Sequence, residues 1–242
     1  MYIDEGAKMA SAYDRAATMF SPKGRLYQVE YASKIVEQGT LGIGLVYANG
    51  VLFGAEKAIT SNLMIPESVE KLFKIDDHIG AISAGLVGDA RRLVKIAREL
   101  AQENMIYYDE LIDVEYLAKE ISSIKQVFTQ YAGMRPFGIS FIIGGINNGN
   151  KRIFETEPSG ALAEYKATAI GRNKKKAMDF LEKKYSEKIG LEDGIKLIVN
   201  TIKQTKEKNE AFEINNLEFA YIEDGKPYTK LGAKELRAIV SK

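Results

Sequence analysis

The side chains in this chain that could do covalent chemistry are few. Cysteine is absent, which removes a thiolate nucleophile, a disulfide frame and a cysteine metal site. His78 is the only histidine. It falls in a turn between two strand-like runs, so no histidine triad or histidine metal cluster is expected. The carboxylates are scattered and show no acid–base pair. The glycines of "GIG" (42–44) and "GLVGDARR" (85–92) lack both the lysine spacing of a P-loop and the dinucleotide pattern G-x-G-x-x-G. The basic run Arg172 to Lys176 opens a helix without interleaved aromatics, which reads as a solvated face rather than an RNA site. What remains is recognition chemistry. In "FSPKGRLYQVEYA", Phe20 to Ala32, Tyr27 and Tyr31 are four residues apart and stack on a helix. An apolar ring ending in a hydroxyl suits a partner surface, although two tyrosines snorkelling on a wet face would look the same.

The segment carrying them reads as a helix from about Leu26 to Gln38. Leu26, Val29, Ala32, Ile35 and Val36 share one side, and Glu30, Lys34, Glu37 and Gln38 the other. After Gly39 the periodicity changes to that of strands. "LGIGLVY" and "VLFGAE" flank Ala48-Asn49-Gly50, and "KLFKI" and "IGAISAGL" flank Asp76-Asp77-His78, giving two hairpins. Gly88 opens a helix, with Leu93, Ile96, Ala97 and Leu100 at helical spacing, and a second helix runs from about Val114 to Tyr131. "GISFIIGGI" and "KRIFETE" turn at Asn147-Asn148-Gly149-Asn150, and "ALAEY" and "KATAIG" add strands. Helices follow from about Lys174 to Tyr185 and Leu191 to Lys206, then a hairpin around Asp224-Gly225 and the short helix "AKELRAIV". Hairpins imply mainly antiparallel sheets, and the alternating blocks imply sheets packed together with helix pairs outside.

The 242 residues are 45% hydrophobic and 28% charged, enough for a full core. No repeat, linker or low-complexity tract divides them, so one domain over 1–242 is expected, with 1–20 as a mobile tail. The 34 basic and 33 acidic residues give a net charge of +1, which supplies no drive toward nucleic acid or an anionic membrane. The start "MYIDEGAKMA" has no apolar signal region, and no apolar run approaches the length of a membrane span. A cytoplasmic protein without cofactor or metal is expected.

At this point the sequence resembles a known family, the proteasome α subunits of archaeal type. "YDRAATMFSPKGRLYQVEYA" (13–32) is very close to their N-terminal signature. "TQYAGMRPFGIS" (129–140) looks like a second one, and "AGLVGDARRLV" and "EYKATAIG" match further segments. The resemblance spans nearly the whole chain. It implies an α+β fold, a four-layer αββα sandwich of the N-terminal-nucleophile hydrolase type with an extra N-terminal helix (21–38). It also implies a seven-membered ring of this chain seated on a ring of β subunits, with residues 1–20 gating the axial pore.

The resemblance assigns residues as well. The gate cluster becomes Tyr13, Asp14, Arg15, Pro22 and Tyr31. A pocket between neighbouring subunits, which takes the C-terminal carboxylate of an AAA+ ATPase or other activator, becomes Lys71, Gly39 and Leu86. Ser33-Lys34 stands where an Arg-Glu pair is frequent. Without the resemblance, Lys71 reads as a strand lysine exposed to water.

A rival reading is a self-processing threonine peptidase on the same fold. In sibling β subunits an N-terminal threonine attacks, with its own amine as base. Thr40 aligns with that threonine, and Glu56 and Lys71 fall near the acidic residue and lysine of that site. Against this, Thr40 is internal, a helix precedes it, Arg172 stands in place of the assisting serine, and the second aspartate falls near Thr205. The non-catalytic reading is therefore preferred, with no catalytic residue assigned.

Overall fold

A computed structural model of the chain describes residues 16, 18–61, 63–207 and 212–241. Tyr13, Asp14 and Arg15, and the tail before them, lie outside the described residues.

Strands β1 (Gly42–Tyr47), β2 (Gly50–Glu56), β8 (Ala167–Ile170), β9 (Leu217–Glu223) and β10 (Thr229–Lys230) form one antiparallel sheet in the order β10-β9-β2-β1-β8. Strands β3 (Leu72–Asp76), β4 (Ile79–Gly85), β5 (Ile139–Asn147), β6 (Asn150–Thr156) and β7 (Leu162–Tyr165) form the other, in sequential order. The turns sit where Asn and Gly permit them. Asn148 and Gly149 both take positive φ, 50° and 77°, between β5 and β6, as a type I′ hairpin requires. Between β1 and β2 the loop is Ala48-Asn49, and Gly50 already pairs with Tyr47.

The helices are α1 (Tyr27–Gln38), α2 (Val87–Tyr108), α3 (Val114–Val127), α4 (Lys174–Lys184), α5 (Leu191–Thr205) and α6 (Ala233–Val240). Strand alternation sorts the apolar residues into three layers. Leu93, Ala97, Leu117 and Ile121 of α2 and α3 pack on Phe141, Ile143 and Phe154. Leu181, Ile195, Ile198 and Leu236 of α4 to α6 pack on Ile43, Leu45 and Phe219. Between the sheets lie Val51, Phe53, Leu72, Ile82, Ile142, Ile153 and Ile222, with Val36 of α1 at the margin. The result is an αββα sandwich with an added N-terminal helix. The "GIG" glycines belong to this packing: a Cβ on Gly44 would meet Ile142 Cγ2 at 2.7 Å.

Three helices differ in extent from the sequence reading. α2 starts one residue before Gly88 and runs on to Tyr108. α3 stops at Val127 rather than Tyr131, because the Thr129 hydroxyl bonds the Gln126 carbonyl at 2.7 Å and Phe128 turns onto Phe137, centroids 4.6 Å apart. The expected helix over 21–38 begins at Tyr27. Before it Ser21–Arg25 is a closed turn, with the Ser21 amide donating to the Arg25 carbonyl at 2.9 Å.

Candidate functional site

α1 buries Ala32 and Val36 and leaves its tyrosines outward. The Tyr27 and Tyr31 rings stack, with centroids 6.5 Å apart and planes at 19°. Arg25 lies 5.1 Å from the Tyr27 ring and Lys34 5.5 Å from the Tyr31 ring, each a cation over an aromatic face. Tyr31 is 39% exposed, so its ring is not enclosed by the described residues of its own chain. Pro22 is exposed in the turn that feeds the helix.

Immediately after α1 the chain enters a polar cluster. The Lys71 ammonium donates to the Thr40 hydroxyl at 2.6 Å and also to the Thr40 carbonyl. The Thr40 hydroxyl in turn donates to the Glu56 carbonyl at 2.5 Å. The Glu56 carboxylate accepts from Arg172 at 2.9 Å and pairs with Lys206 at 2.6 Å. Burial works against charge on Glu56, but the hydrogen bonds from Lys206 and Arg172 outweigh it and hold the carboxyl below its usual range. Lys71 is buried, at 6% exposure, which corrects its reading as a solvent-facing strand lysine. It lies one residue before β3, turned inward onto Thr40. Among the described residues no carboxylate stands within ion-pair distance of it, and burial pulls its pKa down to about 7, against a smaller opposing effect of Glu56.

The expected pocket residues are neighbours. Gly39 ends α1, and its carbonyl accepts the Arg172 amide at 2.8 Å. A Cβ on Gly39 would lie 2.8 Å from the Gly85 nitrogen, which places Gly39 beside the Gly85-Leu86 bend. Leu86 is 39% exposed. The Lys71 carbonyl accepts the Ser83 amide at 3.0 Å, in the strand leading to that bend.

The threonine-peptidase constellation is thus partly assembled. Thr40, Glu56, Lys71 and Arg172 meet, and Thr205 lies buried at the end of α5 with its carbonyl bonded by Asn173 at 2.9 Å. The Thr40 nitrogen is a peptide amide following a helix, so it cannot act as an amine base. The basic run is not one solvated face. Arg172 bonds Glu56, and Lys174 bonds the buried Glu155, which also accepts the Thr168 hydroxyl at 2.7 Å. Lys175 and Lys176 alone remain exposed in that run. Sequence reasoning missed Lys206 and the Asp89–Arg135 ion pair (2.6 Å), since no spacing along the chain relates either partner to the other.

Among the described residues no group of three or more His, Asp and Glu is placed to hold a metal, and no helix is long and apolar enough to cross a membrane.

Comparison with known proteins agrees with this geometry. The sequence profile described as "Proteasome subunit" matches residues 36–222, and the profile for the N-terminal signature of A-type proteasome subunits matches 13–34. The chain is 48% identical over 232 residues to the alpha-type proteasome subunit of Methanococcus maripaludis, covering 96% of this chain and 88% of that relative. It is 47% identical over 231 residues to the corresponding protein of Methanobrevibacter smithii, covering 95% and 92%. Over 229 residues it is 48% identical to that of Methanothermobacter thermautotrophicus, covering 94% and 92%. An αββα sandwich, an added N-terminal helix, a threonine locked in mid-chain and near-full-length identity to archaeal alpha subunits lead to one assignment: this chain belongs to the proteasome subunit family, in its archaeal alpha type.

Proposed function

We propose that this chain is a non-catalytic ring subunit of the 20S proteasome core in the cytoplasm. Seven copies form a ring on the β subunits, residues 1–20 gate the axial pore, and the site at Lys71, Gly39 and Leu86 receives the C-terminal carboxylate of a AAA+ ATPase or another activator. The gate cluster is Tyr13, Asp14, Arg15, Pro22 and Tyr31.

One observation carries the non-catalytic part. The Thr40 hydroxyl stands beside Lys71 as a nucleophile would, yet its nitrogen is bound in a peptide and its proton is directed to the Glu56 carbonyl. Docking is supported by the same lysine, a buried ammonium on Thr40, next in the chain to Gly39, with no carboxylate at ion-pair distance among the described residues. A terminal carboxylate would supply that counter-charge. Assembly is supported by the end of α2, the link after it and the start of α3, where Ile106, Tyr107, Tyr108, Leu111 and Tyr116 are all more than half exposed, apolar surface of the kind that marks a protein interface.

The test is Lys71→Ala in the reconstituted α–β particle. Stimulation by a C-terminally docking activator is lost while rings and basal peptide hydrolysis persist. Intact stimulation rejects the pocket. The rival peptidase predicts a new N-terminus at Thr40, which mass spectrometry of the purified chain detects directly.

A further inference from the structure

The segment Arg135-Pro136-Phe137-Gly138 is tied to the start of α2 through one carboxylate. The Arg135 guanidinium holds Asp89 with both Nη atoms, at 2.6 and 2.7 Å. The same carboxylate accepts the Gly138 amide at 2.9 Å, and the Gly138 carbonyl accepts the Leu86 amide at 2.9 Å. Burial would raise the Asp89 carboxyl, but Arg135 and the Gly138 amide outweigh it and hold the group below its usual range.

Beside this loop three glycine backbones meet. Gly85 takes φ +119°, and a Cβ there would overlap the Gly138 carbonyl oxygen. A Cβ on Gly39 would lie 2.8 Å from the Gly85 nitrogen. One on Gly138 would lie 3.0 Å from Leu86 Cδ1 and 3.6 Å from Ile35 Cδ1 of α1. With no side chain between them, a displacement of one backbone is passed to the next.

Arg135 is 61% exposed, so the bridge adds little to global stability. Its two-pronged geometry nevertheless fixes direction, which a single charge cannot do. We infer that the Asp89–Arg135 bridge is the positioning element of the activator pocket, setting Leu86 and Gly39 against each other and coupling them to α1. This rests on the pocket reading of Lys71, Gly39 and Leu86.

Arg135→Met tests it, in the full chain and in the assembled particle. Rings and basal peptide hydrolysis stay as in the parent. Amide exchange at Leu86 and Gly138 accelerates about tenfold, and the activator concentration giving half-maximal stimulation rises on the order of tenfold, the usual scale for losing a supporting partner. Arg135→Lys, which keeps charge but not the fork, falls between the two and serves if Arg135→Met fails to assemble. Unchanged exchange at Leu86 overturns the inference whatever Lys71 does. So does faster exchange with an unchanged activator response in a particle where Lys71→Ala abolishes that response. If Lys71→Ala has no effect while Arg135→Met still weakens stimulation, the Lys71 assignment fails and the bridge stands.

Discussion

The Lys71 ammonium lies 2.6 Å from the Thr40 hydroxyl, thirty-one residues away in sequence, and the Glu56 carbonyl accepts that hydroxyl's hydrogen bond. A nucleophile, its lysine and its acidic neighbour are present together, and the amine that would make them reactive is locked in a peptide bond.

Removing the hydroxyl therefore leaves proteolysis intact. Thr40→Ala in the reconstituted particle hydrolyses peptides at the parental rate, apart from any cost in assembly. Lys71 keeps the Thr40 carbonyl as an acceptor. Loss of activity in a normally assembled particle restores the enzyme reading.

The proposed docking of an activator carboxylate on Lys71 predicts a pH dependence. Burial lowers its pKa to about 7, so in the free particle the ammonium is lost as pH rises through that value. Stimulation by a carboxylate-terminated activator is thus stronger at pH 6.5 than at pH 8.5, with basal hydrolysis compared at each pH as the reference. A flat ratio across this range removes the charged lysine from the docking step.

Lys125 is wholly buried, and among the described residues its ammonium hydrogen-bonds the Thr156 hydroxyl, at 2.7 Å, and carbonyl, at 3.1 Å. Burial lowers its pKa to about 7, against smaller opposing effects of Glu157 and Glu155. The unfolded chain, with an ordinary lysine pKa near 10.4, binds more protons between these values, so this group makes stability rise with pH from about 7 to 10. Lys125→Met with Thr156→Val replaces the polar pair by apolar volume. It is expected to add about 1 kcal/mol or more, a rise of about 2–4 °C in Tm, and to flatten the slope. Thermal unfolding at pH 7 and pH 9.5 measures both. A variant less stable than the parent at pH 7 contradicts the expectation.

Tyr31→Phe keeps the ring stacked on Tyr27 and removes one hydroxyl. Rings and basal hydrolysis stay normal, and opening by a bound activator weakens. Deleting residues 1–12 then restores activity, since the proposed gate is gone. A Tyr31→Phe particle that responds like its parent takes the hydroxyl out of the switch.

Much of this protein was legible along the chain, wherever the determining forces act within a few residues. Asn148-Gly149 dictated a turn, the apolar spacing of Leu93, Ala97 and Leu100 a helix, and the 13–32 signature the family. Local periodicity says which face of an element is buried but not against what. "ALAEY" runs directly into "KATAIG", and only Lys166 separates β7 from β8, yet Tyr165 pairs with Ile153 in one sheet and Ala167 with Leu45 in the other. Either strand could have joined either sheet by pattern; the packing of Ile153, Ile170 and Val36 between the layers decided it. Charge pairing was equally hidden. Lys71 reads as a wet strand lysine until the fold brings Thr40 to it, and Arg172 reads as part of a solvated run until Glu56, in β2, is buried between it and Lys206. A buried polar group must find its partner in space, and only the tertiary structure sets which residues are within reach.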